Sequence, residues 1–104
     1  MASGKLGSAD LAAATDTVLY TCPAGQVATV TVALVARSSA ATVRVSAGPA
    51  AVPAAADYLE YDATLPVSGV LERTGIVLSA AEKLVVRASV AGVSVRVHGF
   101  EEAA

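Results

Sequence analysis

The chain has 104 residues, a net charge of −2 and 55% hydrophobic residues, with only 4% aromatic and no Trp. That length suits one domain with a modest core of its own. The balance of 7 basic and 9 acidic residues speaks against nucleic-acid binding, which asks for a basic patch, and no apolar run approaches the length of a membrane span.

Residues 1–16 are rich in Gly, Ser and Ala and read as an extended N-terminal arm with two apolar anchors, Leu6 and Leu11. Met1-Ala2-Ser3-Gly4-Lys5 leads into no long apolar segment, so no signal peptide is expected. Cys22 is the only cysteine, which leaves no internal disulfide and fits synthesis in a cytoplasm. Residues 17–104 read as the folded domain. Thr17 to Cys22 forms a first strand, and Pro23-Ala24-Gly25-Gln26 is turn chemistry, with Pro presetting φ and Gly supplying a positive one.

Val27 to Arg37 follows, free of Gly and Pro. Ala28, Val30, Val32, Leu34 and Ala36 share one parity, and successive side chains of a strand point to opposite faces, so these five make an unbroken apolar face. This stretch reads as the long central strand. Thr42 to Ser46 alternates again, with Val43 and Val45 inward and Arg44 outward. Ala47 to Ala56 holds Gly48, Pro49 and Pro53, which a strand interior does not tolerate, and reads as a loop. Asp57 to Asp62 reads as a short strand with Leu59 and Tyr61 on one face and Tyr58 and Glu60 on the other. Ala63 to Gly69 reads as a second loop.

Val70 to Leu78 is a strand with a bulge placed at Gly75. Ser79 to Glu82 turns the chain. Lys83 to Ser89 sets Leu84, Val86 and Ala88 inward, and Val93 to His98 sets Val93, Val95 and Val97 inward, before Gly99, Phe100 and an acidic tail. The sum is an all-β chain: a single antiparallel β-sandwich of about seven or eight strands, spaced as such folds require. Parity does not choose between a jelly-roll and an immunoglobulin-like topology, although the Cys…Trp…Cys mark of true immunoglobulin domains is absent.

Candidate chemistry is sparse. His98 is the only histidine, and with Arg96 beside it in parity it reads as a surface histidine rather than a metal ligand or general base. Asp57, Glu60 and Asp62 are the densest acidic group, but they lack the spacing and glycine of a calcium loop. Ser79-Ala80-Ala81-Glu82 matches a capping box, yet an alternating strand follows rather than a helix. Cys22, with no base near it in sequence, reads as a small buried hydrophobe. Arg37, Arg44, Lys83, Arg87 and Arg96 recur on outward positions beside Val27, Val35 and Val85. They describe either a solvated face or a mixed contact surface for a partner.

A series of short motifs runs along nearly the whole chain. It comprises Gly4-Lys5-Leu6-Gly7 with Ala9-Asp10-Leu11, Tyr20-Thr21-Cys22-Pro23-Ala24-Gly25-Gln26, Glu60-Tyr61-Asp62 with Leu65-Pro66, Gly69 to Ile76, and Lys83 to Ala88. With it the chain resembles the small β-sandwich accessory proteins of tailed-bacteriophage virions. The resemblance implies a structural virion protein, first of all a capsid decoration (cement) protein bound to the outside of the major capsid protein shell. It also implies assembly as a homo-oligomer, a trimer by analogy. A tail, collar or fibre component is the alternative reading, and a carbohydrate-binding module the least favoured, given so few aromatics. No catalytic residue, metal or cofactor, and no membrane or nucleic-acid partner, is expected. The residues expected to meet a partner are Lys5, Leu6, Leu11, Val27, Val35, Arg37, Val85 and Arg87.

Overall fold

The computed structural model describes residues 2–104. It contains eight strands: β1 (Ser3–Asp10), β2 (Thr17–Thr21), β3 (Gln26–Ala36), β4 (Ala41–Gly48), β5 (Tyr58–Leu65), β6 (Val70–Leu78), β7 (Lys83–Ala88) and β8 (Val93–Ala103). The helical content among the described residues is one 3-10 turn, Ala55–Asp57. The strands form two four-stranded antiparallel sheets, β1-β8-β3-β6 and β2-β7-β4-β5.

The pairing order settles the topology. β4 pairs with β5, β3 with β6, β2 with β7 and β1 with β8. Each strand of the first half thus meets its mirror in the second, and successive pairs fall in alternate sheets. That is one long antiparallel hairpin wrapped into a sandwich, the jelly roll. The immunoglobulin-like alternative is set aside by this order. Cross-links β3–β8 and β4–β7 join neighbouring pairs into complete sheets.

The core lies between the sheets and is made by the parities described above. Ala28, Val30, Val32, Leu34 and Ala36 are all buried, as are Val43, Val45, Leu84, Val86, Ala88, Val93, Val95 and Val97. Its largest fully buried side chains are leucines and valines, with no aromatic ring among them. Small β-branched residues fit a pleated surface and lose little side-chain freedom on burial.

Four expectations are refined or corrected. Within the extended arm expected over residues 1–16, Ser3–Asp10 is an edge strand laddered to β8. Leu11 is buried at 2% exposure, with its N–H donating to Val93 O at 2.9 Å. The ladder forms because β8 offers an otherwise unpaired edge, a stronger pull on the backbone than the Gly and Ser content suggests. The expected loop from Ala63 is also strand, since β5 runs on to Leu65.

Within β5 the pairing slips between Val43 and Val45 of β4, and Asp62 takes a positive φ of 52°. The irregularity breaks the alternation. Tyr58 and Tyr61, placed on opposite faces by simple parity, meet edge to face with ring centroids 4.8 Å apart, while Leu59 packs on the core. Finally, the acidic tail is the end of β8, paired with β3 as far as Ala103 opposite Gln26.

Candidate functional site: the outward faces of the two sheets

The outward face of the first sheet is read from the register as cross-strand rows. At one end Asp10, Ser94, Val35 and Val70 lie side by side, and next to them Ser8, Arg96, Ala33 and Glu72. Lys5, His98 and Thr31 come next, and at the other end Ser3, Phe100, Thr29 and Val77. The face is therefore apolar at both ends and polar across its middle. Val70, Val77 and Phe100 are 68%, 60% and 44% exposed. From Val35 to Thr29 the spacing is about 20 Å at the rise of an extended strand. A shallow groove of about 310 Å³ over Ala33, Val35 and Val70 marks the first end.

Arg37 closes that end, donating from Nη2 to Asp10 Oδ1 at 2.9 Å and from Nη1 to Ser94 Oγ. The other end is locked by Glu101. Its carboxylate accepts from Tyr20 O–H on the opposite sheet and from Ala2 N–H at 2.9 Å. Both bonds hold Glu101 below the usual carboxylate range, Tyr20 contributing most. Burial first, and then Glu101, push the Tyr20 phenol above its ordinary value.

The second sheet presents a different face. Tyr58, Ser46, Val85 and Val18 form one row. The adjacent row is charged: Arg44 opposes Arg87 across β4 and β7, Asp62 holds Arg44 from one side, and Asp16 stands beside Arg87 on the other. Arg44 Cζ also lies 4.1 Å from the Tyr61 ring centroid, a cation–π contact. The bond from Arg44 holds the Asp62 carboxyl below its ordinary range.

The residues expected to meet a partner do not form one surface. Lys5, Val27, Val35 and Arg37 belong to the first sheet's outward side, with Val27 and Val35 half-buried, and Arg87 belongs to the opposite face. Leu6 bulges out of register and is half-buried against the core. Leu11 and Val85, both 2% exposed, offer nothing to a partner and are withdrawn from that set. Val85 has outward parity but lies on a central strand, flanked by Val18 and Ser46. Val70, Val77 and Phe100 were missed. Their parity was readable, but which strand neighbours β3 was not.

The remaining candidates fall out as packing. Cys22 is buried, its Sγ 3.4 Å from Gln26 O, and burial pushes its thiol up. Glu60 and Asp62 are each taken by an arginine, Arg73 and Arg44. Among the described residues no group of three or more His, Cys, Asp or Glu side chains is placed to hold a metal ion. His98 is half-buried between Lys5 and Thr31, with Nδ1 covered and unpaired among the described residues. Ser79-Ala80-Ala81-Glu82 makes a tight turn in which Glu82 Oε1 accepts from Ser79 N–H at 2.7 Å, half of a capping box without a helix. No helix among the described residues is long and apolar enough to cross a membrane. No protein-family model, curated protein or solved structure matches the chain.

Proposed function

We propose that this jelly roll is a structural protein of a tailed-phage particle, a capsid decoration protein that lies on the outside of the major capsid protein shell as a homo-oligomer. The observation that carries the reading is the outward face of the first sheet, with exposed Val70 at one end and Val77 and Phe100 at the other. Two apolar contact points about 20 Å apart on a rigid plate, with polar residues between them, suit a broad protein surface rather than a small ligand. The motif series resembling phage accessory proteins supplies the partner. The jelly roll agrees with it, being a common architecture of viral capsid domains, though fold alone does not assign function. Repetition over a shell makes weak contacts sufficient, because a multimer engages several sites at once.

The test is co-sedimentation of the full chain with shells assembled from the cognate major capsid protein alone. Saturable occupancy at a stoichiometry near that of the capsid subunits supports decoration. A few copies per complete virion, counted by quantitative mass spectrometry, instead favours the tail, collar or fibre. No association with shells, from a protein that sediments as a monomer, overturns the reading.

A further inference from the structure

Arg44 on β4 and Arg87 on β7 are register partners on the outward face of the second sheet. Like charges directly opposite each other on an antiparallel pair are destabilising. A sheet that keeps two guanidinium groups there needs compensation, and each finds some on its far side. Asp62 takes Nε and Nη2 of Arg44 at 2.6 and 3.2 Å. Asp16 Oδ1 stands 3.6 Å from Arg87 Nη1, close enough for charge contact but too long for a hydrogen bond. The near side stays open: among the described residues, Arg44 Nη1 and the whole Arg87 fork have no hydrogen-bond acceptor.

Between the two lies a hollow of about 200 Å³ lined by Ala14, Thr42, Arg44, Asp62, Arg87 and Ser89. Two guanidinium groups in that lining face a single carboxylate. Its neighbouring backbone is fixed. Thr42 N–H donates to Ser89 Oγ and Ser89 N–H donates to Thr42 O, both at 2.9 Å, so the Ser89 hydroxyl proton is left to donate. Ala14 forms a wall, its N–H donating to Ala88 O at 2.8 Å. The Tyr61 ring under Arg44 and the two bonds to Asp62 hold that guanidinium plane in place, so little freedom is lost when a further acceptor arrives.

We propose that this hollow binds an oxyanion group, a phosphate or a carboxylate, seated between Arg44 and Arg87 with the Ser89 hydroxyl as a further donor. Planar guanidinium forks match both groups, and charge-assisted bonds to them are the strong kind. The anion cancels the repulsion that the register imposes. This site lies on the face opposite the proposed shell contact and stands or falls independently of it.

The test is titration of the isotope-labelled full chain with sodium phosphate and, separately, sodium acetate. Sodium chloride at matched ionic strength is the blank, and the amide signals of Thr42 and Ser89 are followed by NMR. Saturable shifts beyond the blank are expected, and which titrant gives them identifies the oxyanion. Arg87→Gln weakens binding by roughly tenfold or more, as loss of a bond to a charged group does. Arg87→Lys keeps the charge but not the fork and weakens it less; it also serves should Arg87→Gln not fold. Shifts no larger than the chloride blank overturn the site, as does saturable binding unchanged in a folded Arg87 variant.

Discussion

Gly99 stands where β8 lies against the middle of β3, with a φ of +155°. A Cβ there would run into the carbonyl oxygen of Thr29 and come within 2.8 Å of Val30 Cα, both backbone atoms that cannot swing aside. Gly75, at the β6 bulge, also has a positive φ, +69°, but open space where its Cβ would be. Gly75→Ala is therefore expected to cost only the left-handed penalty, about 1–2 kcal/mol, and Gly99→Ala distinctly more. Urea unfolding of the two variants orders them. The Tyr20–Glu101 bond makes a second residue-scale prediction, because both partners are shifted. Glu101 is lowered, so its contribution is present above the unfolded carboxyl value of 4.5 and is lost as pH falls through the folded value below it. Tyr20 is raised, so its contribution is present below the unfolded phenol value of 10.0 and is lost as pH rises beyond it. Stability should fall on both sides, below about pH 4.5 and above about pH 10. Tyr20→Phe should flatten the alkaline limb and shrink the acid one, part of which survives through Ala2 N–H. Urea midpoints measured across pH for both proteins check this.

β1 shows what an element contributes beyond its composition. Ser3–Asp10 has few residues that favour a strand, yet it closes the open edge of β8 and brings Leu6 and Ala9 against the core. Deleting residues 2–10 should therefore expose the β8 ladder and part of the core. The truncated chain is expected to lose cooperative unfolding or to associate through the bared edge, as circular dichroism melts and sedimentation would show. A truncated chain that melts as sharply as the full one would return β1 to the status of an arm. The same strand marks how far the sequence could be read. β3, β7 and the first half of β8 were legible because Gly-free and Pro-free alternation of valines allows only one buried face. β1 was not, because its strand character comes from the partner edge rather than from its own side chains. β5 was misread across Tyr58 to Asp62 because a register slip and the positive φ of Asp62 switch the face midway. A non-glycine residue in that conformation leaves little trace in sequence. Of the proposed contact surface, Val27 and Val35 were legible as outward positions on a buried-face strand. Val70, Val77 and Phe100 needed the jelly-roll order to be gathered beside them.

At the scale of the whole molecule, the two faces of the first sheet differ in what they contribute to the fold, and substitution can tell them apart. The inner face holds the fold: Leu34 is among the largest fully buried side chains, in a core without aromatic rings. Leu34→Ala should cost about 2–5 kcal/mol, a large share of what a domain this size has. The outer face adds little to the fold, since Val77 and Phe100 are 60% and 44% exposed. Val77→Asp and Phe100→Ser should each change the unfolding free energy by about 1 kcal/mol or less, the span of strand propensities. If that face is where the shell is met, the same two changes should sharply reduce occupancy, because a charge or polar group put at an apolar contact point is desolvated without a partner. Leu34→Ala, kept below its melting temperature, should bind like the parent. Pairing the melts with occupancy on shells gives each of the three variants two readouts, with opposite expected patterns for the inner and the outer face. Outer-face variants that melt and bind as the parent does would clear that surface of any role and send the search to the arginine-lined face on the other side of the sandwich.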